Sequence, residues 1–420
     1  MKSKHIWWIL TGLLVLFSTV SCRTTPPEED AFPPADVQVQ PPPPPPPPPV
    51  QDDRADLEAL DAAAARAGAA RQFVMDFDGH ALFPSEWEAA DSLCTQATQQ
   101  RSTATPQEIQ ASTARYNAAA DAFEAMTAQT LAQNFADMER ELINARNAAV
   151  GAGAMLESPD FLLHADNTVL SAYEKYQTND FHAARDAARN ALAMYRTITA
   201  LLESARIWEE IGMQVEELAP DLLSQAEDVV IEAGDKWDAG DYIGAEAGAV
   251  RGLSMFTALR AGLGAFTAWE NVVDNAEELA LESLLEAYSV AEEAYANWGA
   301  GNFYEARAGA ELAMVMFLRA GASAERQNAL NYRANVAAQP DFNAAQTVFN
   351  RAAAAYQARN LEEAASLFDE SSAMFMIAAH IALERQILAE EALRYANERM
   401  AESDEAARTA ERILEGGDTQ

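Results

Sequence analysis

Few residues in this 420-residue chain are spaced for chemistry. Beyond the leader the histidines are His80, His164, His182 and His380, and no two of them stand four apart. That spacing would put two imidazoles on one helical face toward a zinc ion, and no H-E-x-x-H arrangement supplies it. Asp76-Phe77-Asp78-Gly79-His80 opens like a calcium loop but lacks the later oxygen ligands and the distal glutamate. Asp235, Asp238 and Asp241 crowd one turn, where helix capping and solvation account for them. Gly151-Ala152-Gly153 precedes no basic residue and follows no strand pattern, so it makes a poor phosphate cradle. A G-x-S-x-G elbow is missing. Carboxylate pairs are too common for any one to mark a general acid and base. The sequence points away from an enzyme, and no catalytic residue, metal or cofactor is expected. One residue, Cys22, carries a prospect of covalent chemistry, and that chemistry is attachment.

The elements around Cys22 give the reason. Lys2 and Lys4 form a basic start, and Ile6 to Phe17 is apolar. That stretch is shorter than the roughly 20 residues a spanning helix needs. It turns small and polar at Ser18-Thr19-Val20-Ser21 and ends at Cys22. The pattern resembles a bacterial lipobox, with Thr19 where leucine is usual. The resemblance implies cleavage before Cys22, a diacylglyceryl thioether on its sulfur, and a further acyl chain such as palmitate on the freed amine. Two or more chains anchor a protein stably where one does not. The competing reading is an ordinary secretory leader or an uncleaved anchor, with Cys22 incidental. Arg23, in place of aspartate, resembles an outer-membrane address, so the expected location is the periplasmic side of that membrane.

Residues 22–53 read as a tether. They hold Pro26-Pro27, Pro33-Pro34 and an unbroken run from Pro41 to Pro49. Proline has a fixed φ and no amide donor, so such a run adopts an extended polyproline II form. At about 3.1 Å per residue the nine prolines reach roughly 28 Å. A stand-off from the lipid surface is the leading reading, and a docking site for a proline-binding partner is the other.

The remainder, 49% hydrophobic overall and dense in Ala, Glu, Leu, Met and Arg, reads as all-α. Formal charge is -36, and loss of Lys2 and Lys4 with the leader takes it to -38. Such a surface repels phosphates, so nucleic acid is not an expected partner. Cys94 is left without a second thiol if Cys22 is acylated, and it reads as a small buried residue.

An internal repeat dominates. Phe181, Tyr242, Phe303 and Leu361 lie 61, 61 and 58 residues apart. Five earlier stand Tyr176, Trp237, Trp298 and Tyr356, and nine earlier Ala172, Ala233, Ala294 and Ala352. Just before each anchor come Asn179-Asp180, Gly240-Asp241, Gly301-Asn302 and Arg359-Asn360. Three later are Ala184, Ala245, Ala306 and Ala364. Thirteen and fourteen later come Met194-Tyr195, Met255-Phe256, Met316-Phe317 and Met374-Phe375. The alanine and aromatic four apart share a helix face. The pair before the anchor supplies a C-cap and then an N-cap. Pro159-Asp160, Pro220-Asp221 and Pro340-Asp341 suit first helical turns.

This helical hairpin resembles the tetratricopeptide (TPR) repeat family, through Ala294-x-x-x-Trp298-x-x-Gly301-Asn302-Phe303-x-x-Ala306 and Asn360-Leu361-Glu362-Glu363-Ala364-Ala365-Ser366-Leu367-Phe368. The family's unit is 34 residues and this one about 61. The bulky residue expected seven after the anchor is Ala188, Ala249 and Ala310 in three units and aromatic only at Phe368. The extra residues, such as Thr257–Leu279, form either a lengthened second helix or a third helix. The resemblance implies an α-solenoid over residues 159–390 and, loosely, protein or peptide binding. Residues 54–158 read as a divergent first module, with Pro84-Ser85-Glu86-Trp87 as a helix start and Arg115-Tyr116-Asn117-Ala118-Ala119 as an anchor region. Residues 391–420 read as a capping helix with a frayed tail.

The expected function is therefore a membrane-anchored periplasmic scaffold that binds a protein or peptide of the cell envelope. A small-ligand accessory of a transporter and a structural or cell-wall-contacting spacer are the alternatives. The candidate contacts are Trp208 and Trp269, which could line a groove between successive units, although packing explains them too.

Overall fold

The computed structural model describes residues 54–101 and 105–416. Cys22, the leader, the tether and the last four residues fall outside them. Among the described residues all regular structure is helical. The helices longer than one turn are α1 (Arg54–Asp76), α2 (Pro84–Arg101), α3 (Pro106–Gly151), α4 (Pro159–Gln177), α5 (Phe181–Leu218), α6 (Pro220–Asp238), α7 (Tyr242–Leu279), α8 (Leu281–Gly299), α9 (Phe303–Asn331), α10 (Gln339–Gln357) and α11 (Leu361–Gly416). No helix among the described residues is long and apolar enough to cross a membrane.

The repeat is visible as a length code. Helices α4, α6, α8 and α10 each have 19 residues, while α5 and α7 each have 38. The extra residues therefore prolong the second helix and make no third one. At about 1.5 Å per residue, α5 and α7 are about 57 Å long. The long helices form a continuous layer, with α5 on α3 and α7, α7 on α9, and α9 on α11. Each short helix packs chiefly on the long helix that follows it.

One turn recurs four times. Asn179, Gly240, Gly301 and Arg359 all have positive φ, between 61° and 81°. The residue after each donates its N–H back five positions: Asp180 to Lys175, Asp241 to Lys236, Asn302 to Asn297 and Asn360 to Ala355, at 2.9–3.0 Å. This αL closure consumes carbonyls that the first helix would leave open. The next helix then starts on a side-chain cap: the Asp180 carboxylate accepts from the Ala183 N–H at 3.3 Å and that of Asp241 from the Gly244 N–H at 2.9 Å. Pro159, Pro220 and Pro340 occupy first turns, where the missing donor costs nothing.

Equivalent positions bury equivalent side chains. The +3 alanines are 0–4% exposed, and Met194, Tyr195, Met255, Phe256, Met316, Phe317 and Phe375 are all buried. In the first three units the aromatic before the turn meets the anchor edge to face: Tyr176–Phe181 at 5.3 Å and 72°, Trp237–Tyr242 at 5.4 Å and 77°, Trp298–Phe303 at 5.0 Å and 73°. Edge-on contact places the positive ring rim on the negative face. In two of the pairs the helices also approach closely at a glycine six residues after the anchor. A Cβ on Gly248 would come within 2.9 Å of the Ala233 Cβ, and one on Gly309 within 2.9 Å of the Ala294 Cβ.

The ends depart from the sequence reading. Helices α1 and α2 both pack on the first half of α3, around Leu60, Phe123 and Met126. Arg115–Ala119 lies inside α3 and does not form an anchor after a turn. The turn is at Thr105 instead, where Thr105 and Glu108 form a reciprocal capping box at 3.4 and 2.9 Å. Downstream, the boundary expected at residue 390 falls within α11, which continues unbroken to Gly416. Its residues from Glu384 to Arg412 are exposed. Arg385 still reaches the array, donating through Nη1 to the Ala337 carbonyl. Beyond it the helix stays exposed on every side as far as Arg412, so this part of the segment expected to cap the array projects from it.

Candidate functional site

A cleft of about 290 Å³ lies at the junction of the N-terminal module and the first helical pair. Phe77, just after α1, and Leu131, Phe135 and Met138 on α3 form one side. Tyr176 on α4 and Phe181, Ala184, Ala188 and Leu192 on α5 form the other. The walls are held by ring contacts. Phe135 and Tyr176 have centroids 3.9 Å apart, and Phe73 stacks on Phe77 at 4.8 Å. Asn134 donates through Nδ2 to the Phe77 carbonyl at 2.6 Å, pinning the loop after α1 to α3.

Charged side chains also line it: Arg185 and Arg189, one turn apart on α5, together with Asp78, Asp137 and Glu141. Asp137 pairs with Arg140 at 2.7 Å, and Glu141 lies 3.8 Å from Arg196. Arg185 donates through Nη1 to the Asp76 carbonyl and sits 4.7 Å from the Phe77 ring centre, a cation–π arrangement. Its Nε is shielded from solvent and has no hydrogen-bond partner. Arg189 is exposed and has no ion-pair partner among the described residues.

Trp208 and Trp269 lie away from this cleft. Each reaches from the far half of a long helix to the next short helix. The Trp208 indole N–H donates to Glu227 at 2.8 Å, and that of Trp269 to the Tyr288 hydroxyl at 2.7 Å. Glu227 and Tyr288 are 61 residues apart, so the two indoles make the same bridge in successive units. Trp208 is half exposed and Trp269 partly buried in the core around Leu284 and Phe317. They act as latches between helices.

A related bridge carries the clearest electrostatic signature. Arg146 on α3 holds Asp166 on α4 in a two-pronged contact at 2.8 and 2.9 Å, and the Tyr195 hydroxyl donates to the same carboxylate. The Arg146 hydrogen bond, with that of Tyr195, holds Asp166 below the usual carboxylate range. Burial, with the same hydrogen bond, pushes the Tyr195 phenol far up. Burial also pushes up the Cys94 thiol, which is partly covered by the core of α1, α2 and α3.

The histidines are separated. His164 shares a 2.8 Å hydrogen bond with Tyr242, His182 lies 3.7 Å from Asp76, and His380 lies 3.3 Å from Glu384 on its own helix. Among the described residues no three His, Cys, Asp or Glu side chains gather as a metal site would require. Asp78 adopts φ 60° as the N-terminal flank of a one-turn helix at Gly79–Leu82, and Gly153 turns the chain between α3 and α4. Cys22 lies outside the described residues. No protein-family model matches this chain, and no curated protein or solved structure matches it.

Proposed function

We propose that this chain is a lipid-anchored, TPR-like helical-repeat scaffold of a bacterial envelope that binds a protein partner. In this reading Cys22 is acylated, residues 23–53 hold the helices off the lipid, and the repeats form a solenoid that presents a docking element. The observation that carries the binding role is the free half of α11. There Leu393 and Met400 are 64% and 66% exposed on an uncovered helix. One heptad apart, they share a face with Ala389, Ala396 and Ala407, while Glu391, Glu398 and Glu405 lie opposite together with Leu388 and Tyr395. Water contact with this face is unfavourable by about 25 cal/mol per Å² of apolar area, and a partner helix would relieve it.

The fourfold turn supports the scaffold part of the reading, because a stack of similar pairs makes a long, rigid support from local contacts. Truncation after Gln386 tests the docking role and keeps the Arg385 contact to Ala337. The body should keep its melting temperature, since the removed segment is exposed from Ile387 to Arg412. Co-purification of one stoichiometric envelope partner should be lost. Retention of that partner by the truncated chain would refute the assignment to α11. The anchor has its own test: labelled palmitate should enter the wild type and be absent from Cys22→Ala.

A further inference from the structure

The free half of α11 has a second apolar face, on the side of Leu388 and Tyr395, and the repeat itself shows what fits there. We infer that this face seats a helical hairpin of a different protein. That hairpin brings a large apolar residue with an alanine three later on its first arm, an aromatic ring on its second, and basic residues at the edge. The inference goes beyond the scaffold reading and does not use the face of Leu393 and Met400.

The earlier units supply the template. The second half of each earlier long helix shares a core with the next helical pair. On α5, Ile207, Ile211 and Val215 are 3–6% exposed and pack with Leu223 and Ala226 of α6 and Phe256 of α7. On α7, Ala268 and Ala276 pack with Leu284 and Ala287 of α8 and Phe317 of α9. On α9, Ala329 packs with Phe342 and Ala345 of α10 and Phe375 of α11. Counted from the anchor, Ile387 of α11 stands where Ile207 does, Leu388 where Trp208 does, Glu391 where Ile211 does and Tyr395 where Val215 does. The helix that carries them is the last among the described residues, and Ile387, Leu388 and Tyr395 are 47%, 63% and 63% exposed. Their face continues the interface that the first half of α11 makes with α9 and α10. Burying these three side chains is favourable in the same way as burying their counterparts on α5.

Two observations choose the occupant. Each hairpin of this chain is already seated: α4–α5 on α3, α6–α7 on α5, α8–α9 on α7 and α10–α11 on α9. A second copy therefore has no free hairpin to offer. The face is also acidic. Glu391 stands in place of an isoleucine, and Glu384 and Glu398 lie one heptad to either side of it. Glu384 has His380 beside it at 3.3 Å, while Glu391 and Glu398 have no ion pair among the described residues. Two copies of this face repel each other, whereas lysine or arginine on a different protein is attracted to it.

The test places a benzophenone amino acid at Leu388 or at Tyr395 of the full chain in cells and maps each adduct by mass spectrometry. Both positions should join one protein other than this chain, within two successive helices of which the first carries the large residue and the alanine three later. Glu391→Lys should cut that adduct roughly threefold or more, the scale of one exposed charge pair reversed. Its melting temperature should not change, because Glu391 is exposed and unpaired. No adduct from either position, an adduct only with a second copy of this chain, or a contact segment that is not a helical pair would overturn the inference. So would an adduct undiminished in Glu391→Lys, or an equal fall in the adduct formed from Met400.

Discussion

Arg359 holds the same backbone position as Gly240 and Gly301, yet carries a side chain there. Its φ is 61°, against 81° and 79° for the glycines. In that region a Cβ approaches the neighbouring carbonyl, at about 1–2 kcal/mol for an ordinary residue. Arg359 is exposed, so its side chain gains no burial in return. Replacing it with glycine removes the strain and adds back about 0.4–1 kcal/mol of unfolded-chain entropy. Arg359→Gly should therefore stabilise the last helical pair by about 0.5–1 kcal/mol. Gly301→Ala should destabilise by a similar amount, and by backbone strain alone, because an added Cβ there meets no atom within 4 Å. A stack of this length need not unfold in one step, so a global midpoint is a poor probe. Hydrogen exchange of amides in α10 and the first half of α11 reads the local effect, with α4 and α5 as internal control. A loss of protection in Arg359→Gly, or no change in Gly301→Ala, would refute the equivalence of the four turns.

Four further outcomes follow from the geometry. Asp166 has a folded pKa below its unfolded value, so its contribution is present above about pH 4 and is lost as pH falls through the folded value. The stability gap between wild type and Asp166→Asn, read by thermal melts, should be widest near neutral pH and close in acid. Gly309→Val should cost about 1–3 kcal/mol in urea denaturation, since even a Cβ meets the Ala294 Cβ at 2.9 Å and its Cα at 3.2 Å. Thr105→Ala breaks a capping box and should cost about 1 kcal/mol, seen as faster exchange at the start of α3. The raised pKa of Cys94 lowers its thiolate fraction, so at pH 8 it should react with iodoacetamide more slowly than free cysteine does.

What could be read from the sequence was local. The αL position, the N-cap after it and the Met–aromatic pairs each lie within one hairpin, and their recurrence at a fixed period makes them stand out in the residues alone. The length of the second helix was half legible: Thr257–Leu279 read as helix, but nothing in its pattern separated one long helix from two. The close approach of Gly248 to Ala233 was present as a glycine at +6 in two units, a signal masked by Ala187 and Leu367 at that position in the others. The cleft was not legible. Phe77, Phe135, Tyr176 and Arg185 come from four helices or their ends and share no periodicity, and two of them belong to the divergent module. The free half of α11 read as a cap because it is helix-like with polar charge pairs such as Glu390-Glu391 and Arg394, and its alanines do continue the buried stripe of Phe375 and Ala382. A stripe shows that a face suits burial, and only the structure shows whether anything covers it.

The binding role rests on one face of α11, and in-cell photocrosslinking reads that face directly. A benzophenone amino acid placed at Met400 should give one adduct with a second envelope protein. The same group at Glu398, on the opposite side of the helix, should give none with that protein. Equal adducts from both positions, or an adduct at Met400 that contains only two copies of this chain, would contradict the account.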